Sequence, residues 1–91
     1  MRLKSKEISI IRKILSDIFD DVTIYLFGSR LDDSKQGGDI DLFVISKNAT
    51  FANKIKALAK LQRALHKPVD IVLHKDFSRT IEKEALQGIQ I

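Results

Sequence analysis

Apolar residues recur at helical spacing in two long stretches and fill three short ones. Over residues 6–19, Ile8, Ile11, Ile14, Leu15 and Ile18 fall on one side of a 3.6-residue period, which predicts a helix. Ser5 is the expected N-cap, with Glu7 in the first turn, and Asp20-Asp21 closes the helix. Residues 22–27 are short, β-branched and aromatic and predict a strand that stops at Gly28. A loop rich in Asp, Ser and Gly follows to Gly38, then a second strand over 39–45. From Ala49 to His66, Phe51, Ile55, Leu58, Leu61 and Leu65 are expected to turn toward a core, with Thr50 near the helix start. Pro68 ends that helix, because the residue before a proline is driven out of the α region. Val69 to Leu73 is a third strand. Ser78 to Gln87 is a last helix, capped by Ser78 and stopped by Gly88.

The order is α-β-loop-β-α-β-α, an α+β arrangement in which a small sheet of three to four strands is flanked by helices. The connection between the first two strands is too short for a parallel crossover, so the sheet is expected to be antiparallel or mixed. The apolar tail Gly88-Ile89-Gln90-Ile91 suits either a short additional strand or a partner contact. With 91 residues and no linker or repeat, the expectation is one domain over 1–91.

Composition narrows the function. At 44% hydrophobic and 31% charged, the chain is neither a disordered polymer nor a membrane-spanning one. Zero cysteines exclude a disulfide framework, a thiol nucleophile and thiolate zinc ligands. Met1 to Lys6 has no apolar segment behind it, so the expected compartment is the cytoplasm. The net charge of +4 is unevenly distributed. Leu42 to Val69 holds no acid and six cations: Lys47, Lys54, Lys56, Lys60, Arg63 and Lys67. That stretch is either a solvated helix face or a basic surface for a phosphate-bearing ligand or an acidic partner. Its cations are not regularly interleaved with aromatics, which argues against a platform for single-stranded nucleic acid.

The chemistry-bearing residues lie around the strands. Asp39 and Asp41 are two apart on a predicted strand, so both carboxylates share a face, while Ile40, Leu42 and Val44 point to the other. Two adjacent carboxylates repel each other, and a hard cation such as Mg²⁺ relieves that repulsion. Alone, the pair also fits an ordinary exposed strand end. Asp70 stands between Val69 and Ile71 in a third strand, where an acid is costly unless paired or metal-bound. It either completes a three-carboxylate cluster of the kind that holds two metal ions in phosphoryl transfer, or bonds Lys67 or His74. Phe27-Gly28-Ser29-Arg30 directly follows a strand. Gly28 permits a positive φ or close phosphate approach, Ser29 offers a hydroxyl and a backbone N–H, and Arg30 can meet phosphate or Asp32.

Gly28-Ser29, a nine-residue gap from Arg30 to Gly38, and then Gly38-Asp39-Ile40-Asp41-Leu42-Phe43-Val44 resemble the signature of the minimal nucleotidyltransferases of the polymerase-β-like superfamily. The gap is one residue shorter than is usual there. Ile81 to Ile89 resembles the last helix of such chains, so the likeness runs along nearly the whole sequence. The resemblance implies a nucleotidyltransferase fold in which Asp39, Asp41 and Asp70 bind two Mg²⁺ ions and carry catalysis. Asp70 would serve the acceptor side and act as a base. Gly28, Ser29 and Arg30 would bind the nucleotide, ATP or another nucleoside triphosphate. It further implies an antitoxin that transfers AMP to a hydroxyl of a small helical HEPN-type toxin.

A catalytically silent antitoxin that neutralises a helical partner by contact is the competing function, with the basic stretch as its docking surface. A metal-dependent glycosyltransferase is a poor fit, since only 38 residues precede Asp39 and no nucleotide-binding domain fits there. General nucleic-acid binding through the basic stretch would show steep salt dependence. His66, beside Lys67, suits a helix C-terminus. His74 lacks partners for zinc and could lie near Asp70. Phe43 shares the face of Asp41 and is expected to line the floor of the site. Tyr25 and Phe27 fit the core or a partner-facing surface. The oligomeric state is open.

Overall fold

A computed structural model describes residues 3–28 and 40–91. Its elements are α1 (Ser5–Phe19), β1 (Val22–Phe27), β2 (Ile40–Ser46), α2 (Phe51–Leu65), β3 (Val69–Leu73), α3 (Thr80–Leu86) and β4 (Ile89–Gln90). The strands form a mixed sheet in the order β3-β2-β1-β4. β1 pairs antiparallel with β2 and with β4, whereas β2 and β3 are parallel and joined through α2. The tail is therefore a short strand, with Ile89 opposite Leu26.

Strand alternation divides the molecule into two layers. Ile24, Leu26, Ile40, Leu42, Val44, Val69 and Ile71 face the main core, where they meet Ile11, Leu15 and Phe19 of α1 and Ala57, Leu61 and Leu65 of α2. The opposite face carries a smaller cluster of Phe27, Phe43 and Ala85, with Tyr25, Ile45 and Val72 against it. α3 covers only part of that second face. The rest of it bears Asp41 and Asp70.

Several local expectations need correction. Phe51 and Ile55 do not enter the core; they are 71% and 50% exposed. They lie at one border of the apolar stripe of α2, and the helix centres Ala57, Leu61 and Leu65 on the sheet instead. α1 begins one residue after its N-cap Lys4, whose backbone N–H donates to Glu7 Oε1 at 3.1 Å, so the acid rather than Ser5 closes the first turn. α3 starts at Thr80, with Arg79 as its N-cap, and is shorter than expected. Ser78 instead donates its N–H to Asp76 Oδ1 in the turn before it. Thr50 does cap α2, accepting from the Asn53 N–H at 3.1 Å. His66 ends α2 in the left-handed region, with φ 55°. Among the described residues, no helix is long and apolar enough to cross a membrane.

Candidate active site

The in-register pairing of β2 with β3 sets Asp41 directly beside Asp70. Adjacent strands are ~4.8 Å apart, and paired residues point to the same face, so the two carboxylates rise together from the sheet. Across β2, Asp41 is paired with Phe27, the last residue of β1. Gly28 follows at once with φ 81°, and a Cβ built there would strike the Asp41 carboxylate. Glycine is therefore required twice, for its backbone angle and for the space the acid fills.

Asp70 sits at an edge rather than in a buried strand. It is exposed, and its Oδ1 accepts from the Ile71 N–H at 2.9 Å. The expected cost of an acid between Val69 and Ile71 does not arise, because those neighbours face the core while Asp70 faces outward. Neither suggested bond partner reaches it. Lys67 bonds Glu7 Oε2 at 2.7 Å, and His74 Nδ1 lies 2.6 Å from Glu82 Oε1. Asp39, Ser29 and Arg30 lie outside the described residues, as does Asp32. Among the described residues, no group of three potential ligands forms a metal site. Asp41 and Asp70 supply two of the hard oxygen donors that Mg²⁺ prefers, side by side and open to solvent on at least one flank.

Beneath this pair, Phe43 continues the Asp41 face and is fully buried. Its ring lies 6.2 Å from Tyr25 and 6.3 Å, edge-on, from His74. Asp70 also lies at one end of a cavity of about 580 Å³ that follows β3 to Lys75 and is walled by Phe51, Lys54 and Ile81.

The most buried charged group among the described residues was not singled out by its sequence pattern. Glu82, on α3, is wholly inaccessible. Its Oε2 accepts from the backbone N–H groups of Lys75 and Asp76, both at 2.9 Å, and from Arg79 Nε at 2.6 Å. Burial by itself would raise its pKa, but the hydrogen bonds from His74, Asp76, Lys75 and Arg79 outweigh that and hold it at about 2. The available signal was the spacing of Glu82 and Ala85, three apart on the side of α3 that meets the sheet. This cage fixes the turn leaving β3.

The polymerase beta nucleotidyltransferase family model matches residues 9–91. The chain belongs to that family. Among solved structures, the MntA–HepT toxin–antitoxin complex has a chain 24% identical, with TM-score 0.76, covering 96% of this chain and 70% of that one. A complex of a tri-AMPylated Shewanella oneidensis HEPN toxin with its MNT antitoxin gives 26% identity and TM-score 0.74 over 94% of this chain and 68% of that one. A tyrosine-to-alanine variant of an MntA–HpeT complex gives 29% identity and TM-score 0.76 over 99% and 72%. No curated protein sequence matches significantly. The mixed sheet with helices is thus the nucleotidyltransferase fold seen in MNT antitoxins. Asp41, Asp70 and Gly28, three of the residues expected to form the site, lie together on one face of this sheet.

Proposed function

We propose that this chain is a Mg²⁺-dependent nucleotidyltransferase that moves a nucleoside monophosphate, AMP from ATP, onto a hydroxyl of a partner protein. The partner is a small helical HEPN-type toxin, and the chain acts as its antitoxin in the cytoplasm. The observation that carries this reading is the in-register pair of Asp41 and Asp70 on one sheet face, packed against the positive-φ Gly28. Family membership and the likeness to antitoxins in complex with HEPN toxins support it.

In the proposed step, the acceptor oxygen forms a bond to the α-phosphorus and the bond from phosphorus to pyrophosphate breaks. Pyrophosphate leaves with its electron pair, and the acceptor proton passes toward Asp70. Asp41, Asp70 and Asp39 are the residues to hold the metal, which would neutralise the triphosphate charge. Gly28, Ser29 and Arg30 are the proposed triphosphate contacts. Asp70, at the exposed edge, is the carboxylate best placed for an incoming hydroxyl. Such a site acts chiefly through positioning and charge.

A contact-only antitoxin is the second reading, favoured by the exposed Phe51 and Ile55 on α2. Co-purification with the protein encoded next to it, followed by Mg²⁺ and α-labelled ATP, separates the two. Transfer predicts label on the partner that disappears in Asp41→Ala and Asp70→Ala. Neutralisation of the partner by both variants with no label transferred by the wild type would leave only the contact reading.

A further inference from the structure

β3 has an open edge, and its backbone groups are unevenly used. Pro68 O and the His74 N–H bond β2, at 3.0 and 2.9 Å, so the alternate residues 69, 71 and 73 turn their polar groups away from the sheet. Side chains satisfy three of those groups. Gln62 donates to Val69 O at 3.2 Å, the Ile71 N–H donates to Asp70 Oδ1, and Arg79 Nη2 donates to Leu73 O at 2.7 Å. Ile71 O and the Leu73 N–H have no such cover among the described residues. They flank Val72, and in a parallel ladder one incoming residue opposite Val72 bonds both.

The cavity along this edge fits such a guest. Phe51, 71% exposed, and Ile81, 37% exposed, give it apolar walls. Lys54 and Lys75 line it with positive charge, Arg79 is paired with Glu82, and Asp70 is the acid among its lining residues. Asp70 and Val72 are two residues apart on one face, ~6.5–7 Å along the strand. A residue two positions before the one opposite Val72 therefore falls beside Asp70, on the Asp41 face.

We propose that this groove docks the acceptor: an extended apolar–acidic segment of a partner protein adds to β3, bonds Ile71 O and the Leu73 N–H, and presents a side-chain hydroxyl to Asp70. The proposal rests on the transferase reading for the fate of that hydroxyl, and on the edge geometry alone for the docking. Strand addition supplies affinity through backbone bonds, and the flanking lysines select acidic residues.

The test uses the full chain and a fluorescein-labelled hexapeptide, Tyr-Val-Val-Val-Glu-Glu, read by fluorescence anisotropy without nucleotide. N-methylation of its third residue removes the donor for Ile71 O and is expected to weaken binding roughly tenfold. Replacing both glutamates by lysine, Lys75→Glu in the protein, or Phe51→Asp is expected to weaken it comparably. Phe51 and Lys75 stand outside the core, and circular dichroism verifies that their variants are folded. Equal affinity for the methylated and unmethylated peptides, or no binding of the unmethylated peptide, overturns the proposal. Adding Mg²⁺ and α-labelled ATP then separates the two ideas. Peptide that binds at the edge but is never labelled supports the groove while removing the transferase reading. Label transfer to a partner whose rate is unaffected by Phe51→Asp and Lys75→Glu keeps transfer and removes the groove.

Discussion

Glu82→Gln is a near-isosteric change with a large expected effect. The carboxylate accepts from two backbone N–H groups and from Arg79, and faces His74 across 2.6 Å. All three donors converge on Oε2, so an amide oxygen placed there keeps them while its NH₂ turns to His74 Nδ1; what the change removes is the negative charge that strengthens these bonds. The change also leaves the Arg79 guanidinium, about one-third exposed, without its counter-charge. Breaking a buried ion pair by neutralising one member costs ~3–5 kcal/mol, and the partial exposure of Arg79 places the expectation near the lower end. Urea unfolding followed by circular dichroism at pH 7 measures it. The pH dependence provides an independent check. The folded-state pKa of about 2 lies below the ordinary 4.5, so the wild type gains stability above pH 4.5 and loses it as pH falls toward 2. The gain is at most about 3 kcal/mol. Glu82→Gln should lack this part of the acid-induced loss. A variant within ~0.5 kcal/mol of wild type at pH 7, with an unchanged acid profile between pH 4.5 and 2, would refute the cage as a stabilising element.

The other predictions concern the site and the exposed face of α2. Asp41→Asn and Asp70→Asn should each lower label transfer from ATP by ~10²-fold or more in a radiolabel assay, and the exposed Asp70→Asn should leave stability in urea unfolding within ~0.5 kcal/mol of wild type. Gly28→Ala combines an unfavourable φ with a clash against the Asp41 carboxylate, and should cost ~1–3 kcal/mol in urea unfolding. Phe51→Ser should change stability by less than ~0.5 kcal/mol, whereas Leu61→Ala, fully buried, should cost ~2–5 kcal/mol in the same assay. Lys67→Ala should cost no more than ~1 kcal/mol, and less in high salt, since the lysine is 35% exposed.

Regular elements were legible because their signals are local. The alternation in Ile40-Asp41-Leu42 assigns Asp41 to one face and its neighbours to the other, and the sheet preserves that division. The short link between β1 and β2 argued for antiparallel pairing, and that pairing is present. What sequence patterns could not specify is tertiary. Phe51 and Ile55 have helical spacing with Leu58 and Leu61, but spacing fixes only a stripe; which part of the stripe meets the sheet depends on how α2 is rolled against it. Likewise, Asp70 looked buried between Val69 and Ile71, yet strand order leaves β3 at an edge. The Glu82 cage is invisible locally because its donors come from the turn after β3 and become convergent only once α3 folds back. Asp39, Ser29 and Arg30 carry the other half of the sequence motif, outside the described residues.

The edge position of β3 links stability to the proposed chemistry. One face of each strand is committed to the core, as Val69 and Ile71 demonstrate by their burial. The other face is then free to hold acids, at the cost of repulsion between Asp41 and Asp70. An interior position would add a desolvation penalty that two neighbouring carboxylates could not offset without a permanently bound cation. At an edge, water solvates Asp70. An uncovered edge invites indiscriminate pairing with other chains. Here Gln62, Asp70 and Arg79 occupy part of it and, among the described residues, leave the Val69 N–H and the Ile71 O and Leu73 N–H pair. Arg79 has a second role, since the same guanidinium that covers Leu73 O bonds Glu82. Loss of the Glu82 carboxylate should therefore loosen the covered end of the edge as well as the turn. Hydrogen exchange at His74, whose N–H bonds Val44 O, should rise in Glu82→Gln under conditions where global stability still protects the centre of β2. Unchanged exchange there would show that the cage does not govern the edge.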